Sequence, residues 1–300
     1  MINAFTVDVE DYFQVSAFAK EVPTSQWDQY QLRVVPNTLR ILDLMEKHQV
    51  RGTFFVLGWV ADKEPQLVRE IANRGHEIGT HSYWHRLVYE QTPTEFADDL
   101  QQSIDILQEI TGQPITSYRA PSFSITARSQ WALSILKDSN IQFDSSIFPI
   151  VHDRYGVPDA EPRPHQIQLE PDGPTINEFP PSVHRKWSLN LPISGGGYFR
   201  LYPYPMSRHL LRKVNSQHFS PFMFYIHPWE VDPEQPRVKS SLRSRFRHYQ
   251  NLKTTLPKLD KLLQTFRFGT LTEAWDSCQQ PYPTTVLSDQ QLEASLSITS

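Results

Sequence analysis

Two histidines four residues apart, His81 and His85, lie in the segment IGTHSYWH (78–85). Neutral imidazoles are common ligands of zinc and similar divalent ions, and a site with three protein ligands keeps one position for water. If this stretch forms a helical turn, the two rings reach the same side of it. Ser82 and Tyr83 fill the middle positions, which excludes the HExxH pattern of a zincin helix. Such a pair is also common among purely structural histidines, so both interpretations stay open.

A second set of candidate ligands lies in the acidic segment TVDVED (6–11). Asp8 and Glu10 are two residues apart on a predicted strand, so their side chains share one face while Val9 points away. Two carboxylates on one face repel each other unless a cation, a shared proton or solvent relieves them. Asp11 follows one residue later. The segment fits a catalytic or metal site, and it also fits a cluster that caps a helix on a solvated loop.

Three further polar residues occupy positions where they could do chemistry. Arg119 in YRAPSFS could hold a carboxylate in a bidentate contact, or form a structural ion pair. His227 in FYIHPWE ends an apolar strand and could act as a general acid, although a buried core histidine fits as well. Asp144 in FDSSIFP ends another strand, where a turn or helix cap is the alternative.

The elements that must position these residues alternate between short apolar runs and amphipathic helical patterns. Strands are predicted at 2–9, 52–58, 76–81, 117–120 and 141–146, and helices at 36–48, 64–75, 92–112 and 126–138. This rhythm predicts parallel strands with crossover helices, in an open α/β sheet or a barrel. Active sites of both folds collect at the C-terminal ends of the strands, and all the candidate residues fall there.

The second half of the chain is less regular. Residues 150–200 contain a stretch rich in proline and charge, which predicts a long surface excursion, and a glycine-rich turn. A helix at 206–214, a strand at 222–227, a helical hairpin within 239–265 and a last strand at 266–273 are predicted after it. We expect a single domain over 1–280 that includes a C-terminal segment at 235–276, and a flexible tail over 281–300.

Composition excludes several classes of function. The formal net charge is -4 and the pI about 6.3, which gives no basic excess for nucleic acid or an anionic membrane. Lysines and arginines do cluster at 240–261, where we expect a solvated helical face rather than a phosphate-binding track. No apolar run approaches the ~20 residues of a membrane span. The acidic N-terminal segment lacks the features of a secretory signal, so we expect a cytoplasmic protein.

Four motifs in this order resemble those of the polysaccharide deacetylases with the NodB homology domain (carbohydrate esterase family 4). The motifs are TVDVED, HSYWH, RAPSFS and FYIHPWE; FDSS lies near a further motif of the family but lacks its Asp-plus-Trp form. The resemblance spans about residues 1–230. The whole chain most resembles the deacetylases associated with exosortase and exopolysaccharide gene clusters.

The resemblance implies a distorted (β/α) barrel of about seven strands with a C-terminal helical extension, and a metal-dependent hydrolysis of N-acetyl groups. Asp8 would be the catalytic base held by Arg119, and His227 the acid. His81 and His85 would bind the metal, zinc first, with cobalt, nickel and iron as alternatives. The family usually places an acidic ligand directly after the base, where this chain has Val9. A variant with one intervening residue gives Glu10, and Asp11 is the other candidate.

The implied substrate is an N-acetylated amino sugar in an exopolysaccharide or its precursor. Trp84, Asp144, Tyr198 and Trp229 are candidate substrate contacts, although the aromatic rings fit core packing equally well. The metal, together with the backbone N–H of Tyr83 or Trp84, would stabilise the oxyanion. Two alternatives stay open: an allantoinase-like hydrolase of a cyclic amide, and a glycan-binding protein without catalysis on the same fold. The oligomeric state is not indicated.

Overall fold

A ten-stranded sheet, most of it parallel, runs through the computed structural model, which describes residues 1–152, 154–186, 189–278 and 281–287. The strands of the protein are β1 (Asn3–Val9), β2 (Thr53–Val56), β3 (Glu77–Thr80), β4 (Ser117–Tyr118), β5 (Phe143–Asp144), β6 (His165–Gln168), β7 (Thr175–Glu178), β8 (Val183–Lys186), β9 (Leu189–Pro192), β10 (Met223–Ile226), β11 (Phe268–Gly269) and β12 (Thr284–Val286). Strands β8 and β9 form a separate hairpin, and β11 pairs with β1.

Seven strands are parallel neighbours in the order β10-β1-β2-β3-β4-β5-β7. Irregular chain closes the gap between β7 and β10, because Ser182 Oγ accepts a bond from the N–H of Met223 at 2.9 Å and the carbonyl of Ser194 accepts one from Tyr225 at 2.8 Å. Gly195 follows at φ +144°, and a Cβ there would lie 1.9 Å from the Tyr225 carbonyl oxygen. The distorted barrel of about seven strands is confirmed.

Helices cover the outside of the barrel. They are α1 (Val34–Lys47), α2 (Gly58–Lys63), α3 (Pro65–Asn73), α4 (Pro93–Thr111), α5 (Ala132–Asp138), α6 (Gly196–Leu201), α7 (Tyr204–His218), α8 (Leu242–Tyr249), α9 (Leu252–Thr265) and α10 (Leu271–Asp276). Helix α4 starts and stops where the sequence indicates: Thr92 and Glu95 form a capping box, and Gly112 ends the helix at φ +66°. No helix in the described ranges is long and apolar enough to cross a membrane.

Strand β1 is buried along its whole length because it has a strand on each side and packed layers on both faces. Phe5, Val7 and Val9 belong to the apolar cluster that also contains the inner faces of the helices. Ala4 belongs to a second cluster, which fills the barrel interior. Side chains alternate in direction along a strand, so Asp8, which is four residues after Ala4, also points toward the barrel interior.

Several predicted boundaries differ from the structure. The segment predicted as a loose excursion contains β6, β7, β8 and β9, which are short and carry few of the apolar alternations that mark a strand. The last predicted strand, 266–273, is strand only over β11 and then turns into α10. Within the predicted tail, β12 pairs with β6, so this part is ordered. The rest of that tail, 288–300, lies outside the described residues.

Candidate active site

Asp8 and Arg119 form a buried ion pair at the C-terminal ends of β1 and β4. Arg119 Nη1 lies 2.5 Å from Asp8 Oδ1, and the same nitrogen donates to Thr6 Oγ1 at 2.9 Å. The other end of the guanidinium donates to Ser145 Oγ at 3.0 Å, and its plane lies over the Phe55 ring at 4.2 Å. Arg119 is fully buried. The pair fixes one oxygen of Asp8 and leaves Oδ2 facing the neighbouring side chains.

Glu10, His81 and His85 converge beside this ion pair. One ligand atom from each lies within 4.8 Å of the others, and all three side chains are buried. The Nδ1–H of His81 donates to the Arg119 carbonyl at 2.7 Å, which leaves its Nε2 facing the group. Burial lowers the pKa of His81 to about 4, so the ring is neutral at physiological pH. The structure thus brings together the two histidines and the acidic residue that shares a strand face with Asp8.

A divalent metal ion fits these three residues. Glu10 Oε2 lies 2.6 Å from His85 Nε2, yet the two atoms do not meet hydrogen-bond geometry, and no group in the described part of the chain donates to this buried oxygen. Burial alone would raise the pKa of Glu10, but the charge and proximity of His85 lower it below the usual range. The donor set is therefore a carboxylate and two imidazoles, which suits zinc or a similar ion.

The loop at 81–85 is not the helical turn on which the spacing argument relied. Ser82 and His85 have positive φ values of 63° and 55°, so the two rings meet through a tight loop. The carboxylate of Asp99, on α4, accepts the N–H groups of Tyr83 at 2.8 Å and Trp84 at 3.2 Å. Those two N–H groups are already bonded, and the expectation that either one stabilises an oxyanion is wrong in this conformation.

Asp11 points away from Glu10, His81 and His85. Its carboxylate accepts N–H bonds from Tyr12 at 2.8 Å, Arg33 at 2.6 Å and Val34 at 2.9 Å, and so it fixes the start of α1. Burial raises its pKa to about 6 despite these bonds. The acidic segment therefore divides in two: Asp8 and Glu10 face the site, and Asp11 holds a helix.

His227 lies at the end of β10, on the opposite side of Asp8 and Glu10 from the other histidines. Its Nε2 is 3.7 Å from Asp8 Oδ2 and 3.7 Å from Glu10 Oε1, and its Nδ1 is 2.7 Å from Glu230 Oε1. Burial alone would lower the pKa of His227, but the bond to Glu230 and the three nearby carboxylates raise it to about 9. The imidazole is therefore held in its charged form at neutral pH.

Sequence reasoning missed two residues behind this histidine. Glu230 is fully buried and Arg200 Nε donates to its Oε2 at 2.6 Å, which lowers the pKa of Glu230 against the effect of burial. Arg200 also donates to the backbone carbonyls of Arg247 at 2.9 Å and His248 at 2.7 Å. The spacing His-x-x-Glu in FYIHPWE was a usable signal for Glu230, whereas nothing local in the sequence marks Arg200.

A cavity of about 560 Å³ opens above these residues. Tyr198 and Trp229 line it, and Trp229 Nε1 also donates to Glu10 Oε1 at 3.1 Å. Trp84 and Asp144, the other two predicted substrate contacts, do not line it. The Trp84 ring packs toward Trp27, with centroids 6.2 Å apart.

Asp144 is fully buried, in contact with Ser146 and Glu178. Burial of both carboxyl groups raises the pKa of Asp144 to about 6 and that of Glu178 well above its usual range, and their proximity raises the latter further. One proton shared between the two accounts for their stability side by side. The prediction that Asp144 contacts substrate does not agree with this position.

Comparison with known protein families supports the resemblance that the motifs indicate. A family model described as polysaccharide deacetylase matches residues 24–141, and a model described as a domain of unknown function (DUF3473) matches residues 145–276. Residues 24–141 carry a polysaccharide deacetylase domain. The family resemblance indicated by the motifs is thereby confirmed, while the closer relation to exopolysaccharide-associated members stays a prediction. Asp8 and Glu10 precede the first matched region, and His227 lies within the second.

Individual proteins similar to this chain include the peptidoglycan-N-acetylmuramic acid deacetylase PdaA of Bacillus subtilis (strain 168). The two are 36% identical over 84 residues, which is 28% of this chain and 32% of the relative. The chain thus spans about a third of that relative's length.

Two solved structures share the fold. A Mycobacterium smegmatis protein described as a polysaccharide deacetylase superposes with a TM-score of 0.61 at 19% identity, covering 95% of this chain and 93% of the other. Puue allantoinase gives a TM-score of 0.58 at 12% identity, covering 93% and 91%. At these identities the likeness shows the barrel fold alone.

Proposed function

We propose that the protein is a metal-dependent N-deacetylase that hydrolyses the acetamido group of an amino sugar within a glycan. The observation that carries this proposal is the convergence of Glu10, His81 and His85 between the Asp8–Arg119 pair and His227 at the floor of one cavity. Amide hydrolysis needs a base, an acid and a means to polarise the carbonyl, and these groups provide for all three.

The metal would be held by Glu10, His81 and His85, with zinc as the first choice because of the two imidazole ligands. When bound, the ion would polarise the acetyl carbonyl and lower the pKa of a water molecule toward ~7. Trp229 and the Arg119 carbonyl, which bond Glu10 and His81, would keep two of the ligands in orientation.

Asp8 would accept the proton of the attacking water. Arg119 fixes Oδ1 of its carboxylate, so Oδ2 is the oxygen that remains for the proton. His227, positively charged at neutral pH, would donate a proton to the leaving amine from Nε2, the nitrogen that faces Asp8 and Glu10. The products are acetic acid, which ionises to acetate, and a free amino sugar. Asp8 then releases the proton that it accepted and His227 takes one up, so both groups return to their starting charge.

The substrate class follows from the cavity and from the relative. Tyr198 lines the cavity, where a sugar can stack on its ring. The Trp229 ring is 6% exposed and already stacks on His227 and His248, so its part is to hold Glu10 rather than to offer a face to the sugar. The Bacillus subtilis relative is named for a deacetylation of peptidoglycan, which supports an N-acetylated glycan as the partner of this chain. An exopolysaccharide or its precursor is the glycan that we propose, as the motifs of the whole chain suggest.

An acetate-release assay tests the proposal. The purified, zinc-loaded protein is incubated with chitotetraose that is fully N-acetylated, and in parallel with allantoin. Acetate from the oligosaccharide and no ring opening of allantoin support the deacetylase. Ring opening without acetate supports the cyclic-amide alternative. Binding of the oligosaccharide without any product, in protein that contains one metal ion per chain, supports glycan binding without catalysis.

A further inference from the structure

A basic rim surrounds the outer part of the cavity. It consists of Arg154, Arg243 and Arg247, which are exposed and line the cavity, whereas Asp8 and Glu10 are buried at its inner end. Those two acids are the only carboxylates among the described residues that line it. The whole chain carries a formal net charge of -4, so this concentration of positive charge is local.

Two of the three arginines lie on one face of α8. Arg243 and Arg247 are four residues apart on the helix, so their side chains are neighbours. Arg245, between them, does not line the cavity and is exposed on another face. The expectation of a solvated helical face at 240–261 therefore holds for Arg245, but not for the side that carries Arg243 and Arg247.

The helix that carries these arginines is fixed relative to the metal-ligand group. The ring of His248, in the last turn of α8, stacks on Trp229 with centroids 4.0 Å apart and planes 16° apart. Trp229 in turn donates to Glu10. Arg200 bonds the backbone carbonyls of both Arg247 and His248. These contacts fix the backbone at the end of α8, so the arginines start from a fixed place at the cavity when they bind a ligand.

Guanidinium groups at a fixed spacing are suited to carboxylate and phosphate, which they bind in bidentate contacts. The same part of the cavity offers apolar surface from Phe246, which is 65% exposed, and Leu201, which is 49% exposed. A neutral polymer of N-acetylglucosamine presents hydroxyl and carbonyl oxygens but no negative charge to match the three arginines. A sugar chain with an acidic substituent matches both the charge and the apolar surface.

We propose that the substrate is an anionic glycan, with a carboxylate or phosphate group near the acetamido group that is hydrolysed, and that the basic rim binds this anion. This inference rests on the proposed deacetylase function for the identity of the sugar. The anion recognition itself rests on the rim alone and can be measured as binding.

The test compares matched acidic and neutral probes by isothermal titration calorimetry on the zinc-loaded full chain. The first pair is a heparosan hexasaccharide, which alternates glucuronic acid with N-acetylglucosamine, and its carboxyl-reduced form. The second pair is N-acetylated chitotetraose with and without a phosphate at the reducing end. We expect at least one acidic probe to bind about tenfold more tightly than its neutral partner, and this preference to shrink as salt is raised. The pair that shows the preference identifies carboxylate or phosphate as the anion.

The double variant Arg243→Gln/Arg247→Gln should bring the acidic and neutral probes to within about twofold of each other, whereas Arg245→Gln on the same helix should keep the wild-type preference. Both variants change exposed side chains, and thermal unfolding verifies that they fold. Equal binding of acidic and neutral probes by the wild type in both pairs overturns the inference. So does a preference that the double variant retains.

Acetate release from the same probes separates this inference from the proposed function. Acetate released equally well from acidic and neutral probes, with no effect of the double variant on the ratio, leaves the deacetylase intact and removes the anion site. A binding preference that depends on the basic rim, without acetate from any probe, keeps the anion site and removes the deacetylase.

Discussion

Arg200 and Glu230 form a buried ion pair, 2.6 Å between Nε and Oε2, and Glu230 holds His227 Nδ1 at 2.7 Å. This arrangement orients the histidine and keeps it charged, because a carboxylate beside Nδ1 favours the imidazolium. Arg200 keeps Glu230 ionised in turn. The histidine therefore depends on a residue 27 positions earlier in the chain, which local sequence could not reveal.

Replacing Glu230 by Gln should weaken the reaction and shift its pH profile. Without the negative charge at Nδ1, the pKa of His227 falls below its value of about 9. An acid is active only when protonated, so the decline of kcat on the alkaline side moves to lower pH, and at pH 8 kcat drops by about tenfold to a hundredfold. A pH–rate profile of acetate release measures this. The exposed Glu234→Gln, four residues away, is the control. If kcat of Glu230→Gln declines at the same alkaline pH as that of the wild type, Glu230 does not raise the pKa of His227.

Arg200→Met should destabilise the protein, because it leaves the Glu230 carboxylate buried without its arginine partner. Removal of one member of a buried pair typically costs ~3–5 kcal/mol. The variant also loses the bonds that fix the backbone of Arg247 and His248. Urea unfolding monitored by circular dichroism measures the difference in free energy. Arg245→Met, an exposed arginine on α8, should change stability by no more than ~0.5 kcal/mol. Equal stability of the two variants would contradict the role given to Arg200.

Metal binding should depend on Glu10, His81 and His85. Alanine at either histidine, or glutamine at Glu10, should reduce the metal content of the purified protein from one ion per chain to a small fraction, as measured by plasma mass spectrometry. His209→Ala, on the exposed face of α7, should leave the content unchanged.

Asp11→Asn distinguishes the two acidic candidates. Asp11 bonds backbone N–H groups at the start of α1 and faces away from the histidines, so this variant should lose stability but keep its metal. Full metal content in Glu10→Gln, together with loss in Asp11→Asn, would reverse the assignment.

The carboxyl pair Asp144–Glu178 should make stability fall as pH rises from about 4.5 toward neutral. Both pKa values are raised in the folded protein, so the unfolded chain releases its protons at lower pH than the folded one does. Where the folded protein keeps one more proton than the unfolded chain, the free energy of unfolding falls by ~1.4 kcal/mol for each unit by which the pH rises. Glu178→Gln should remove part of this decline and be more stable than wild type at pH 7.5, but not at pH 4.5.

Urea unfolding at the two pH values checks this, with the exposed Glu170→Gln as control. A Glu178→Gln variant that is equally destabilised at both pH values would show that the pair does not share a proton in the folded protein.

The sequence was sufficient to place a side chain where the chain forms a regular strand or helix. The spacing of Asp8 and Glu10 on a strand favoured Glu10 over Asp11 as the residue that shares a face with Asp8, and in the structure Glu10 lies beside His81 and His85. Asp11 had stayed the other candidate. The sequence failed where the backbone departs from a period: the loop at 81–85 contains two positive φ values that no spacing argument anticipates. Arg200 was missed because its partners come from the turn after β10, from α8 and from the residue that follows α8, which only the tertiary fold brings together.

The short strands β6 to β9 were missed for a different reason. They contain four residues each. Strands β6 (HQIQ) and β7 (TINE) do alternate between buried and half-buried positions, but each contains a single apolar residue, so hydrophobic periodicity gives little signal. Asp144 was predicted to contact substrate from its place at a strand end. The side chain turned out to face a second buried acid, Glu178, and a single sequence cannot indicate such a pairing.

The pairing of β1 with β10 joins residues 4–7 to residues 223–226. During translation, the first strand of the barrel therefore leaves the ribosome long before its neighbour on that side is made. Its hydrogen-bonding edge stays open through the synthesis of more than two hundred residues, and a nascent chain halted before β10 contains both candidate ligand histidines but no acid histidine opposite them. The candidate active site is thus completed only after β10 has been made, and until then the open edge of β1 is a surface on which another strand could pair.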